Sequence, residues 1–110
     1  MKRYRNGWRV LALGVTLVLG AAARAEGDVA ELARDRGCFS CHSVEQKLVG
    51  PAFVSVAEKY AGQPDAAEEL ALSIRNGSIS KWGRIPMPAH GSLAAEDVQR
   101  LATWVLSLGR

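Results

Sequence analysis

Cys38-Phe39-Ser40-Cys41-His42 places two thiols and an imidazole within five positions. On a helical turn the positions i, i+3 and i+4 lie on one side, so all three groups address a common partner. This C-x-x-C-H spacing is the signature of covalent haem attachment: the thiols form thioethers to the two vinyl groups, and His42 reaches the iron as one axial ligand. Three other chemistries use similar residues. A redox dithiol normally sits beside a strand of a βαβ unit, and no stretch here alternates as a strand does. A structural zinc site needs four ligands, and only His90 remains to complete Cys38, Cys41 and His42. A Cys38–Cys41 disulfide closes too short a loop to constrain the unfolded chain much.

A haem that only transfers electrons needs a second axial ligand, and Met87 is the candidate. The chain has two methionines, and Met1 belongs to an N-terminal segment read below as removable. The surrounding Ile85-Pro86-Met87-Pro88 is stiff, because each proline fixes its own φ and restricts the residue before it. Stiffness matters because a thioether binds iron weakly and the loop must hold it there. Relative to a second imidazole, this ligand favours ferrous iron and a comparatively high potential.

The elements that position these residues read as helices. Val29, Leu32 and Ala33 share one face behind an apparent Asp28/Glu31 capping box, and Gly37 ends that helix. Phe53, Val56, Ala57 and Tyr60 recur at i, i+3, i+4 and i+7 before Gly62. Ala67, Leu70, Ala71 and Ile74 form a third stripe, closed by Asn76-Gly77, a pair suited to a left-handed residue after a helix. Val98, Leu101, Ala102 and Val105 mark a fourth helix over roughly Ala95 to Leu108. Gly77 to Gly91 is a long loop holding Trp82, Pro86, Met87 and Pro88, and loops of that length in a small domain are usually functional or disordered.

The first 25 residues read as a cleavable export signal. Lys2, Arg3, Arg5 and Arg9 precede an apolar Val10 to Ala23, and Ala23-Arg24-Ala25 supplies a small-x-small cleavage site. The apolar run is shorter than the ~20 residues of a spanning helix, so stable membrane insertion is not expected. The full chain carries 14 basic and 11 acidic residues, a formal charge of +3. Removing residues 1–25 takes away five basic residues and no acidic one, leaving a net charge of −2. The basic balance therefore belongs to the leader, and it does not indicate nucleic-acid binding. Residues 26–110 form one domain whose helix faces offer a modest core, as expected if a cofactor fills the middle.

Beyond the haem-attachment motif, the chain resembles the small bacterial cytochromes c-551. The likeness runs through Gly37-Cys38-x-x-Cys41-His42, Lys47-Leu48-Val49-Gly50-Pro51-Ala52, Asn76-Gly77-Ser78, Trp82-Gly83, Ile85-Pro86-Met87-Pro88 and Trp104-Val105-Leu106-Ser107. The resemblance implies an all-α class I cytochrome c fold, with four or five short helices wrapped around one covalently bound haem c. It implies His42 and Met87 as axial ligands, a Pro51 carbonyl that accepts from the proximal imidazole, and a Trp82 indole that donates to a haem propionate. One position departs from the pattern: the family often carries Asn three residues after the ligand Met, and here His90 stands there. His90 is either a solvated loop residue or a group that acts beside Met87, by hydrogen bonding or by replacing it.

The function expected is that of a monomeric periplasmic carrier of single electrons, not an enzyme. By the same resemblance the donor is a cytochrome bc complex or a related quinol-oxidising route, and the acceptors are a nitrite reductase, a cytochrome c peroxidase or a terminal oxidase. A peroxidase-like protein would need an open position at the iron, and a gas sensor a labile Met87. Arg36, Lys47, Lys81 and Arg84 flank the haem-contacting segments and are expected to steer the haem edge toward acidic partners.

Overall fold

The computed structural model describes residues 18–109. Four α-helices follow one another: α1 (Val18–Asp35), α2 (Phe53–Tyr60), α3 (Ala66–Asn76) and α4 (Ala95–Ser107), with a short 3-10 turn over Cys38–Ser40. Among the described residues the only β feature is an isolated antiparallel bridge between Ser78 and Met87. The architecture is all-α.

Helix α4 is the hub, packing against α1, α2 and α3. Its apolar stripe explains why: Val98, Leu101, Ala102 and Val105 are buried together with Trp104. At the 3.6-residue period these side chains cover one broad face, wide enough to meet three partners. Val29 and Ala33 bring α1 to this core, Phe53, Val56, Ala57 and Tyr60 bring α2, and Leu70 and Ala71 bring α3. Glu68 and Glu69 in the first turn of α3, and Glu96 and Asp97 in that of α4, favour the positive ends of those helix dipoles.

The first helix departs from expectation. Asp28 is an interior, exposed residue of α1 and not its cap, because the helix already runs from Val18. The stretch before it, Ala21-Ala22-Ala23-Arg24-Ala25, is built from the strongest helix formers, so the chain never needs a capped start at Asp28. Among the residues whose burial is described, 25–28 are all exposed and Val29 is the first buried one. Residues 1–17 of the expected export segment lie outside the described residues. Among those described, no helix is long and apolar enough to cross a membrane.

Gly77 also behaves in its own way. Its φ of 74° is positive, as expected after Asn76, but its ψ of 179° is extended and not left-handed helical. The close approach of the loop explains this: a Cβ at Gly77 would stand 2.5 Å from the Met87 carbonyl oxygen and 3.0 Å from the Ala89 nitrogen. Only glycine permits the two backbones to run this near each other.

Candidate functional site: a cavity between the Cys-His turn and the methionine loop

The attachment segment starts at Gly37, whose left-handed φ of 80° turns the chain out of α1. One turn then winds on Cys38, whose carbonyl accepts from the amides of Cys41 (3.2 Å) and His42 (3.0 Å). That winding holds Cys38, Cys41 and His42 on the wall of a single cavity of about 510 Å³. Both cysteines are half-buried free thiols, not bonded to each other. Burial pushes the Cys38 thiol above its ordinary pKa, against a smaller opposing effect of its backbone hydrogen bond. A thiol raised by desolvation is a poor redox nucleophile, which weighs against the dithiol reading.

His42 is held on three sides. Its Nδ1 lies 2.7 Å from the Pro51 carbonyl oxygen. Since a carbonyl only accepts, Nδ1 is the donor, an arrangement that in the neutral imidazole leaves the lone pair on Nε2. One face of the ring stacks on Phe53, with centroids 4.9 Å apart and an interplanar angle of 20°. The backbone of Gly50 approaches so closely that a Cβ there would stand 2.6 Å from His42 Cε1 and 2.9 Å from Nδ1. Phe53 is itself locked edge-to-face against Phe39 and Trp104, at 5.7 and 5.5 Å. Phe39, an unspecified position of the C-x-x-C-H motif, thereby ties the attachment turn to α2 and α4.

The opposite wall comes from the long loop. Met87 is half-buried and lines the cavity. Its backbone exchanges two hydrogen bonds with Ser78, Ser78 N to Met87 O at 3.1 Å and Met87 N to Ser78 O at 2.9 Å. A third, from His90 N to Ile74 O at 2.9 Å, ties the following residues to the last turn of α3. Trp82 lines the same cavity at the edge of solvent, 36% exposed, with Lys59 Nζ 4.4 Å from its ring centroid. Lys47, Lys81 and Arg84 stand around the opening, whereas Arg36 lies apart from it. Lys81 is engaged by Ser73 Oγ at 2.9 Å and Glu69 at 3.7 Å.

All six residues singled out from the sequence, Cys38, Cys41, His42, Pro51, Trp82 and Met87, therefore border one cavity. Sequence reasoning gave no role to Gly50, to the Phe39–Phe53–Trp104 cluster or to the Ser78–Met87 bridge. A glycine directly before the Pro51 turn was the available sign of a close approach; the bridge left none, because it is made of backbone alone.

The contents of the cavity suit a haem. Its volume is in the ~300–1,000 Å³ range of cofactor pockets. Its floor is apolar, from Phe53, Leu70, Leu101 and Val105, and two thiols, two imidazoles and a thioether line it. The family model for cytochrome c matches residues 27–109. The chain belongs to the cytochrome c family. It is 46% identical over 98 residues to cytochrome c-551 of Pseudomonas aeruginosa, an alignment covering 89% of this chain and 90% of that one. It is 39% identical over 104 residues to cytochrome c-552 of Nitrosomonas europaea, covering 94% and 98%. The crystal structure of wild-type Nitrosomonas europaea cytochrome c552 superposes with a TM-score of 0.70 at 47% identity, over 72% of this chain and 98% of that one. As a small cytochrome c, the chain carries one haem c bound covalently through Cys38 and Cys41, and it is an electron-transfer protein, not an enzyme.

Proposed function

We propose that the chain is a monomeric periplasmic carrier moving single electrons from a membrane quinol-oxidising complex, such as a cytochrome bc complex, to a terminal acceptor. Nitrite reductase, cytochrome c peroxidase and a terminal oxidase are the acceptor classes. Residues 1–25 are the export signal and residues 26–110 the working domain; the exposure of residues 25–28 supports this division, since the buried residues described begin at Val29, beyond a cut after Ala25.

The observation that carries the reading is the convergence of His42 and Met87 on one cavity, each held by other parts of the chain. With His42 and Met87 both holding a haem iron, no position would be left there for a substrate, and the chain would be confined to outer-sphere electron transfer. The bound haem supplies a one-electron couple at its iron. The chain supplies the rest. The Pro51 carbonyl, accepting from Nδ1, fixes the orientation of His42 and strengthens it as a donor. Met87 contributes a soft thioether that favours the reduced state. Leu70, Leu101 and Val105 keep water from the interior, which reduces the reorganisation that each change of charge demands. Trp82, at the solvent edge of the cavity, would donate its indole N–H to a haem propionate. Lys47 and Arg84 give the opening a basic rim that steers acidic partners, and the Glu69 contact moderates Lys81.

Stopped-flow transfer from the reduced protein to a purified acceptor of these classes tests the proposal. A second-order rate that falls as salt rises is expected. Absence of transfer to all of them, with rapid peroxide turnover or carbon monoxide binding instead, would overturn the carrier reading.

A further inference from the structure

The chain contains two histidines, and both line the haem cavity. Their surroundings differ. His42 has Nδ1 satisfied by Pro51 and its ring clamped between Phe53 and Gly50. His90 has its Nδ1 shut off from solvent with no hydrogen-bond partner. A buried nitrogen without a partner is unfavourable, so this imidazole gains by a rearrangement that gives it one. Its backbone is fixed at the cavity wall, since His90 N donates to Ile74 O and His90 O accepts from Leu93 N at 3.1 Å. Only Pro88 and Ala89 separate it from Met87, whose own backbone is pinned by Ser78.

We propose that His90 is a reserve axial ligand, an imidazole kept in the cavity wall that binds the iron when the Met87 thioether is lost. The proposal rests on the reading of Met87 as resident ligand. The exchange breaks one iron–sulfur bond and forms one iron–nitrogen bond from the lone pair of a neutral imidazole, with no change in oxidation state. The side chain turns about χ1 and χ2 while the Ser78–Met87 bridge and the bond to Ile74 stay in place. The absence of a partner for Nδ1 suits this part: a carbonyl on Nδ1, as at His42, strengthens an imidazole as a donor, so His90 without one is the weaker ligand until the sulfur is gone.

The test uses haem-loaded wild type, His90→Asn, Met87→Ala and Met87→Ala/His90→Asn, read by absorption and low-temperature electron paramagnetic resonance in the ferric state. Wild type and His90→Asn are expected to share the far-red sulfur-to-iron band. Met87→Ala is expected to lose it yet stay low-spin with two nitrogen ligands, and the double variant to become high-spin. Added imidazole should bind the double variant about tenfold or more tightly than Met87→Ala, because only the latter holds a competing internal ligand. A high-spin Met87→Ala with the same imidazole affinity as the double variant would overturn the reserve role and leave Met87 ligation intact. A wild type without the sulfur band would overturn Met87 ligation, and the reserve role with it. Should Met87→Ala lose its far-UV circular dichroism, Met87→Leu, which keeps the volume while removing the sulfur, is read the same way.

Discussion

The two walls of the cavity hold their candidate ligands by opposite means. On the His42 side, side chains do the holding: a ring stack, an edge-to-face aromatic cluster continuous with the α2–α4 core, and one hydrogen bond to a carbonyl. On the Met87 side the backbone does it: a two-bond bridge to Ser78, a bond from His90 to Ile74, and two prolines. Ile79 on that loop is 79% exposed and lies outside the cavity lining, so it adds no packing to the core. The His42 wall is thus continuous with the core, while the Met87 wall is expected to have a local stability of its own. Under the proposed ligation a carrier gains from this division, since His42 stays fixed while the hold on Met87 is adjusted by the loop.

Phe53→Ala should separate the two walls most sharply. It removes a 6%-exposed aromatic from the core and the ring beneath His42 together. Urea unfolding of the haem-loaded protein should show a loss of about 3–5 kcal/mol, and an unchanged midpoint would dissolve the contrast. Gly77→Ala is next. A Cβ forced to φ 74° and toward the Met87 carbonyl should cost about 1–3 kcal/mol, and the far-red band should weaken at denaturant concentrations where the helices remain. If band and helix signal vanish together, the loop has no separate stability.

Gly50→Ala is the counterpart on the other wall. The new methyl displaces the His42 ring and should destabilise by about 1–3 kcal/mol, with loss of helix signal and Soret shift in a single transition. Two transitions would mean that His42 is held as locally as Met87. Lys59→Ala, which removes the cation above Trp82, should cost about 0.5–1 kcal/mol and leave both walls in place; a larger effect by calorimetry would show Trp82 to be a structural pillar of the loop.

Periodicity made most of the fold legible. The stripes at Phe53, Val56, Ala57 and Tyr60, and at Val98, Leu101, Ala102 and Val105, are buried as their spacing requires. The start of α1 was not legible, because a capping box is a local signal that an alanine-rich stretch upstream overrides. In the third stripe Ala66 is buried with Leu70 and Ala71, and Ile74 packs at the margin beside the cavity. Pro51 and Trp82 came from the resemblance to the cytochromes c-551, whereas Cys38, Cys41, His42 and Met87 were readable because their chemistry is carried by side-chain type and spacing. The supports of Met87 were not, since hydrogen bonds between Ser78 and Met87 depend on how a loop folds back and not on which side chains it carries. The cradle of His42 is intermediate: Gly50 stands beside Pro51 in plain sight, but its contact with an imidazole eight residues earlier is a tertiary fact.

The most direct test of the account is a visible spectrum of the periplasmically expressed protein, oxidised and reduced, taken after denaturing extraction has shown whether the colour stays with the chain. The account predicts extraction-resistant haem, sharp reduced α and β bands and a weak far-red band in the oxidised state from sulfur-to-iron charge transfer. Covalent haem without the far-red band would contradict the pairing of His42 with Met87.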